Sequence, residues 1–436
     1  MRRRELLWLS VIAVLVVLQA APAANEEDAS YEKYKRFVAV LEQVKRHYVR
    51  PVEEEKLFLG AYKGMLAELD PYSQYMTAED IQQLQVDTEG EFGGLGIEIT
   101  LDQNNILTVI TPLEDTPAMR AGVLPGDRII EIEGESTYNM TLMDAVKRLR
   151  GKPGTKVTIT VIHENRPGRE KLTITRDIIT VHSVRAAKMV DEKAKIGYVR
   201  MSNFQKTTPE ELKDAVDGLR EDGMQALIID LRRNPGGLLD SAVKVTDLFI
   251  ESGVIVSTKG RTPDTVHRFA AHQEGTFPDF PLALLTSNYS ASGSEIFAGA
   301  VQDHRRGILV GTRTFGKGSV QSILPVDGGA RLRLTTARYY TPSGRMIHRE
   351  RGAKEEEPWG IQPDIEVETT YEEELGLLEH WREERVEENV EDDLPEQPDE
   401  PLPQEDEGEG EKEEFVDRTL NSAIDALKAV LVYRKR

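Results

Sequence analysis

A chain of 436 residues with a formal net charge of −21 exceeds one hydrophobic core and implies two or three domains. The charge is local: residues 372–414 hold 21 acidic side chains against three basic ones, and a nearly neutral remainder without clustered Lys and Arg argues against nucleic acid as a partner. With no cysteine in the chain, disulfides, cysteine nucleophiles, thiolate metal sites and lipid attachment at a cleavage point are all excluded.

At the start, Arg2, Arg3 and Arg4 precede an apolar run over residues 6–18, and Ala21-Pro22-Ala23 supplies a small-x-small pattern. This reads as a signal peptide over residues 1–23. The run is shorter than the ~20 residues of a spanning helix, so cleavage is favoured over the alternative, an uncleaved membrane anchor. Residues 26–87 carry apolar positions at helical spacing (Phe37, Val38, Leu41 and Val44, then Leu57, Ala61, Met65 and Leu66), which predicts two helices broken near Pro51. Leu69-Asp70-Pro71-Tyr72-Ser73 closes that region.

From residue 88 to 178 the texture changes to short alternating strands with glycine turns. Gly94-Leu95-Gly96-Ile97 enters a strand, and Pro117-Ala118, Ala121-Gly122, Gly126-Asp127-Arg128-Ile129 and Gly134 follow. These spacings resemble a PDZ domain over about 90 residues. The physics agrees: glycines let successive N–H groups point into one concavity that can hold a carboxylate, and the adjoining strand edge can add an extended peptide. A helix over residues 141–149 forms the other wall of that groove. By themselves the glycines would serve equally well as tight turns in a small barrel.

Residues 179–369 alternate strand-like runs (196–199, 226–231, 282–286, 308–310) with helical stretches (209–221, 239–250, 294–303), which implies an α/β core. Residues 370–414, rich in Pro, Glu and Asp, read as a disordered, solvated spacer. Residues 415–436 form an amphipathic helix through Leu420, Ile424, Leu427, Val430 and Leu431. The whole is an α+β multidomain chain: N-terminal helical segment, PDZ-like small β-barrel with helices, α/β core, acidic linker and C-terminal helix.

Three segments of the core carry chemistry. In Asn288-Tyr289-Ser290-Ala291-Ser292-Gly293-Ser294-Glu295-Ile296 an apolar strand ends in small residues that open a helix, so a hydroxyl there has the positive end of a dipole beside it. Ser290, Ser292 and Ser294 are equally plausible N-caps. Thr314-Phe315-Gly316-Lys317-Gly318-Ser319-Val320-Gln321 sets a lysine between two glycines; burial would lower its pKa and let it accept a serine proton, with the Gln321 amide holding the amine. Asp230-Leu231-Arg232-Arg233-Asn234-Pro235-Gly236-Gly237 ends a further apolar strand in a turn whose N–H groups can face a substrate carbonyl beside the N–H of Gly293. That segment also reads as an ordinary strand-to-helix turn.

Together, in this order, the three segments resemble the carboxyl-terminal processing (tail-specific) proteases, as do Leu69-Asp70-Pro71 with Ser73, Thr341-Pro342-Ser343-Gly344-Arg345 and Gly360-Ile361-Gln362-Pro363-Asp364-Ile365. The resemblance implies an exported serine endopeptidase of the periplasm or cell envelope that needs no cofactor and no metal. It selects Ser292 over its neighbours as nucleophile, Lys317 as base and Gln321 as supporting residue, with Gly236, Gly237 and Gly293 around the oxyanion. Gly293 stands where the family usually has alanine, which leaves the N–H donor in place. Leu95, Gly96 and Ile97 inherit the binding of a peptide C-terminus. The partners implied are proteins or peptides with accessible C-termini, a homodimer through the terminal helices, and a regulatory adaptor; gating of the site by the PDZ domain is inherited with them.

Rival classes fit less well. A catalytically silent PDZ scaffold is the alternative. A phosphate loop at Gly311 to Gly318 would need Ser or Thr after Lys317, where Gly318 stands. Five histidines (His182, His267, His272, His304, His348) are available to a Ser-His-Asp hydrolase, but Gly-x-Ser-x-Gly is absent, as is the zinc motif His-Glu-x-x-His.

Overall fold

The computed structural model describes residues 26–391 and 415–434, apart from 103, 114–115, 164–167, 351 and 355–356. The apolar leader and residues 392–414 of the acidic stretch lie outside the described residues. Among the described residues no helix is long and apolar enough to cross a membrane.

Two helices, Glu26–His47 and Glu54–Ala67, open the described chain, with Pro51 between them. The short strand Gln74–Met76 that follows belongs to a distant sheet: it pairs antiparallel with Arg331–Tyr340, and Met76 is buried. The loop 69–73 is thereby fixed against the core. Asp70 holds it closed by accepting the N–H groups of Tyr72 and Ser73 at 2.8 and 2.7 Å.

A separate antiparallel sheet runs in the order Ile97–Leu101, Leu107–Pro112, Arg128–Ile132, Lys156–Ile162, Glu170–Thr175. Alternate residues of its strands (Val157, Ile159 and Val161; Ile129 and Ile132 across a bulge) are fully buried with Ala145 and Leu149 of the helix Leu142–Leu149, which Thr141 caps. Ile97–Leu101 is an edge strand of this sheet.

The larger unit is built on a six-stranded sheet ordered Val184–Asp191, Ile196–Met201, Ala226–Asp230, Leu282–Thr286, Ile308–Gly311, Ile365–Glu366, parallel beyond its first pair. Its central strands are apolar on both sides, as a sheet covered on both faces requires. Leu227, Ile229 and Leu284 pack under the helices Thr208–Glu221, Leu239–Asp247 and Gly293–Asp303. Ile228, Ala283 and Leu285 face the opposite way, against Ala423 and Leu427 of the helix Arg418–Arg434. A second, antiparallel sheet (Gly253–Gly260, His267–Ala271, Ser319–Pro325, Arg331–Tyr340, with Gln74–Met76) stands beside it.

Two expectations are corrected. Residues 371–391 are not a spacer: Tyr371–Glu391 is a helix whose Leu377 and Trp381 are buried, with the Arg200 guanidinium 4.4 Å from the Trp381 ring. Nor is the apolar stripe of the C-terminal helix free for a second copy, because the chain's own sheet occupies it. Arg232 ties that helix down, bonding Asp230 and Asp417 with one buried guanidinium.

Candidate active site

Adjacent parallel strands Ala226–Asp230, Leu282–Thr286 and Ile308–Gly311 end at the same edge, so the three segments singled out in the sequence meet there. Ser292 immediately precedes the helix Gly293–Asp303 with φ 55 and ψ −108, a backbone state that L-residues rarely hold. Such strain persists only when the surroundings enforce it. Here they do: the Ser292 N–H donates to Glu295 Oε2 at 2.8 Å, and the Ala291 N–H donates to the Asn234 carbonyl at 3.0 Å.

The three serines separate by what their hydroxyls touch. Ser290 Oγ donates to the Leu231 carbonyl at 2.8 Å and Ser294 Oγ to the Asn234 carbonyl at 2.9 Å, both wholly buried. These two hold the loops together. Ser292 is 8 % exposed, and its hydroxyl meets the phenol of Tyr339, whose burial pushes the Tyr339 pKa up to about 12.

Gly236 lies hard against this turn. A Cβ on it would sit 2.5 Å from the Ala291 carbonyl oxygen and from the Gly293 nitrogen, and its φ is +90. Its own N–H donates to Asn234 Oδ1 at 2.9 Å, so it gives close approach and not a free donor. The N–H groups of Gly237 and Gly293 find no acceptor among the described residues. Two free donors therefore flank Ser292, one from each loop, which suits an oxyanion.

Lys317 reaches the site through the buried carboxylate of Glu295. Oε1 accepts the Thr314 hydroxyl at 2.6 Å and the Gly316 N–H at 2.7 Å; Oε2 accepts the Lys317 N–H at 2.8 Å. Burial pushes Glu295 up to about 7 against these donors, which hold it down. The Lys317 ammonium lies 5.1 Å from the centre of the Tyr72 ring, and burial, then the charge of Arg333, hold it below the ordinary lysine range, with Glu295 opposing.

Gln321 is not brought to the lysine in this arrangement. Its amide donates to the Ser319 carbonyl at 3.2 Å and hydroxyl at 2.8 Å. Gly318 leads into the strand Ser319–Pro325, not the helix that a phosphate loop requires, and buried Asp230 is bound to Arg232 and the Tyr198 hydroxyl. Among the described residues no histidine bonds Ser292; His304 is held by the Val254 carbonyl. No group of His, Cys, Asp and Glu there could hold a metal ion.

Reading along the chain missed three of these residues. In the sequence Glu295 reads only as part of a helix start, and its place three residues after a serine, a capping-box spacing, is the one signal that marks it. Tyr339 and Arg333 lie on a strand that carries no motif, and only the fold brings them here.

In the smaller sheet domain, Leu95 and Gly96 precede the edge strand. Gly96 has φ +76, and a Cβ there would meet the Thr116 side chain at 2.3 Å. The N–H groups of Leu95 and Gly96 find no acceptor among the described residues, while their carbonyls are taken by Ala118 and Leu113. Ile97 starts the strand that faces the helix Leu142–Leu149. The loop thus keeps donors for a carboxylate beside a free strand edge.

Known proteins resemble most of this chain. Residues 195–367 match peptidase family S41, residues 108–162 a PDZ domain, and residues 14–80 the N-terminal domain of the activating protease CtpB. A carboxy-terminal-processing protease of Bartonella bacilliformis is 44% identical over 363 residues, covering 82% of this chain and 80% of that protein. A probable CtpA-like serine protease of Staphylococcus epidermidis is 33% identical over 374 residues, 85% of this chain and 72% of that protein. Among solved structures, a photosystem II D1 C-terminal processing protease aligns at 28% identity and a TM-score of 0.44, over 76% of this chain and 92% of that one.

Proposed function

This chain belongs to peptidase family S41, with the carboxy-terminal-processing proteases as its relatives, and from that premise we propose a serine endopeptidase that cuts proteins near their C-termini, with Ser292 as nucleophile and Lys317 as base. The observation that carries it is that one buried carboxylate, Glu295, holds the backbone of both residues.

The reaction runs in two halves. Ser292 Oγ attacks the scissile carbonyl carbon as the neutral Lys317 amine takes its proton; the new oxyanion lies between the N–H groups of Gly237 and Gly293. The C–N bond then breaks, Lys317 returns the proton to the leaving amine, and an acyl-enzyme remains. Water then attacks the acyl carbon as Lys317 takes its proton, the C–O bond to Ser292 breaks, and Lys317 returns the proton to Ser292 Oγ, which releases the new C-terminal carboxyl group and restores the neutral amine. For this the ammonium leaves the Tyr72 ring and turns to Ser292, where Gln321 steadies it. Residues 88–178 act as a PDZ module that holds the substrate's terminal carboxylate on the N–H groups at Leu95, Gly96 and Ile97, and residues 179–369 as the cutting unit.

The leader at residues 1–23 would deliver the enzyme to the periplasm or cell envelope. A homodimer would use the N-terminal helices, where Tyr31, Tyr34 and Val38 are exposed, and an adaptor would act on the PDZ module. Deleting residues 26–67 and measuring solution mass tests the dimer; an unchanged mass sinks it. The function itself is tested by cleavage of an unfolded protein with a free C-terminus by the parent, Ser292→Ala and Lys317→Ala. Both variants are expected to be inactive, and full activity of either refutes its role.

A further inference from the structure

Arg333 stands out among the cations around the base. In the antiparallel register Gln321 lies opposite Thr335, while Arg333 lies opposite both Ile323 and Gln74. Directly opposed residues share a face, as do residues two apart. Gln321, Thr335 and Arg333 therefore lie on one face of the second sheet, and the Thr335 N–H donates to the Ser73 hydroxyl at 3.1 Å, which fixes the loop of Tyr72 beside them. Gln74, facing Arg333, is two residues beyond Tyr72, whose ring carries the Lys317 ammonium.

Neighbouring arginines have partners. Arg338, on the same face beyond a bulge in the strand, meets Glu350 at 3.5 Å, and the Arg349 guanidinium lies 4.3 Å from the centre of the Trp359 ring. Half-buried Arg333 has no ion pair with any carboxylate of the described residues. An unneutralised cation beside an amine disfavours its ammonium form, one of the known routes to a nucleophilic or basic lysine.

We propose that Arg333 is a positioning residue for the reaction, a guanidinium set beside Lys317 to keep its amine neutral before attack and to drive its proton on to the leaving group afterwards. The inference rests on Lys317 being the base. Burial acts in the same direction, and Arg333 is the largest charge effect on Lys317. The other charged or titratable groups on the surrounding elements are Glu295, which pulls the other way, Asp70 and Tyr72 in the loop before Gln74, Arg338, whose charge also reaches Tyr72, with its partner Glu350, and His348, whose backbone nitrogen passes close over Gly318 and whose burial favours its neutral form.

The test is the pH profile of kcat/KM for cleavage of casein by the full chain carrying Arg333→Gln or Arg333→Lys. Without the guanidinium Lys317 binds its proton more tightly, so the acid limb of Arg333→Gln moves up by about one pH unit, a roughly tenfold loss below the limb with the alkaline plateau kept. Arg333→Lys restores the parent limb. An unmoved limb in Arg333→Gln, an equal shift in Arg333→Lys, or a loss that is uniform with pH overturns the proposal. Lys317→Ala, assayed alongside, separates the two claims: if it is inactive while the Arg333→Gln limb stays put, only the role of Arg333 falls, and if it is active both fall.

Discussion

Ser292 and Lys317 donate their backbone N–H groups to the same oxygen atom, Glu295 Oε2, each at 2.8 Å. Separate loops carry the two residues, so their spacing is set by this shared acceptor and not by chain connectivity. The acceptor is wholly buried, which makes its loss costly, because each donor would be left without water as a substitute.

Glu295→Gln puts an NH2 group among donors that need acceptors. Stability should fall by about 1–3 kcal/mol and cleavage should fall further than binding, since the substrate groove is untouched. The parent also carries a pH signature. Burial raises Glu295 from 4.5 to about 7, so the folded state holds a proton that the unfolded chain releases. The associated stability is present below 4.5 and lost as pH rises through about 7, at up to ~1.4 kcal/mol per unit. Urea unfolding of parent and variant at pH 5 and pH 8 should show the parent's advantage shrinking at pH 8. An equal gap at both would refute the shift.

The serine run gives a sharper contrast. Ser292→Ala removes a hydroxyl that no loop carbonyl accepts, so folding should be intact and cleavage abolished. Ser290→Ala and Ser294→Ala each remove a buried bond to another loop, at 2.8 and 2.9 Å, and should cost roughly 1 kcal/mol while leaving measurable activity. Thermal melts beside a cleavage assay decide it; inactive Ser294→Ala with active Ser292→Ala would reverse the assignment.

How far the sequence could go is visible in these same residues. Alternating strands and helices, the glycines around Lys317 and the serine run at a helix start follow from local spacing, and the structure has elements there. Local spacing could not rank the serines, because the partners of Ser290 and Ser294 are carbonyls of Leu231 and Asn234, on a neighbouring loop. The same holds for Tyr339 and Arg333, which only strand register brings to the site. Acidic composition hid the helix Tyr371–Glu391, since two buried apolar residues, Leu377 and Trp381, suffice to dock it while its other faces stay charged.

The two glycines beside the nucleophile should respond in opposite ways. Gly236→Ala drives a Cβ to 2.5 Å from backbone atoms at a φ of +90, combining overpacking and left-handed strain for about 2–5 kcal/mol. Gly293→Ala places its Cβ 3.2 Å from the Phe204 ring in a helical conformation and keeps the N–H. It should cost under about 1 kcal/mol and retain most activity. Comparable losses in both, measured by urea midpoint and kcat, would argue that the turn tolerates no side chain at all.

The C-terminal helix yields the last test, one that separates a structural from an associative role. Leu427 is 1% exposed against Ile228, Ala283 and Leu285, and Asp417 shares the Arg232 guanidinium with Asp230. Leu427→Ala should therefore cost about 2–5 kcal/mol in the monomer itself. Asp417→Ala leaves Arg232 with one carboxylate at the start of the loop that carries Gly236 and Gly237, so cleavage should weaken as well as stability. If the helix served instead to join two copies, Leu427→Ala would halve the solution mass and leave the urea midpoint independent of the substitution at low protein concentration. The packing predicts the reverse: an unchanged mass and a midpoint lowered at every concentration.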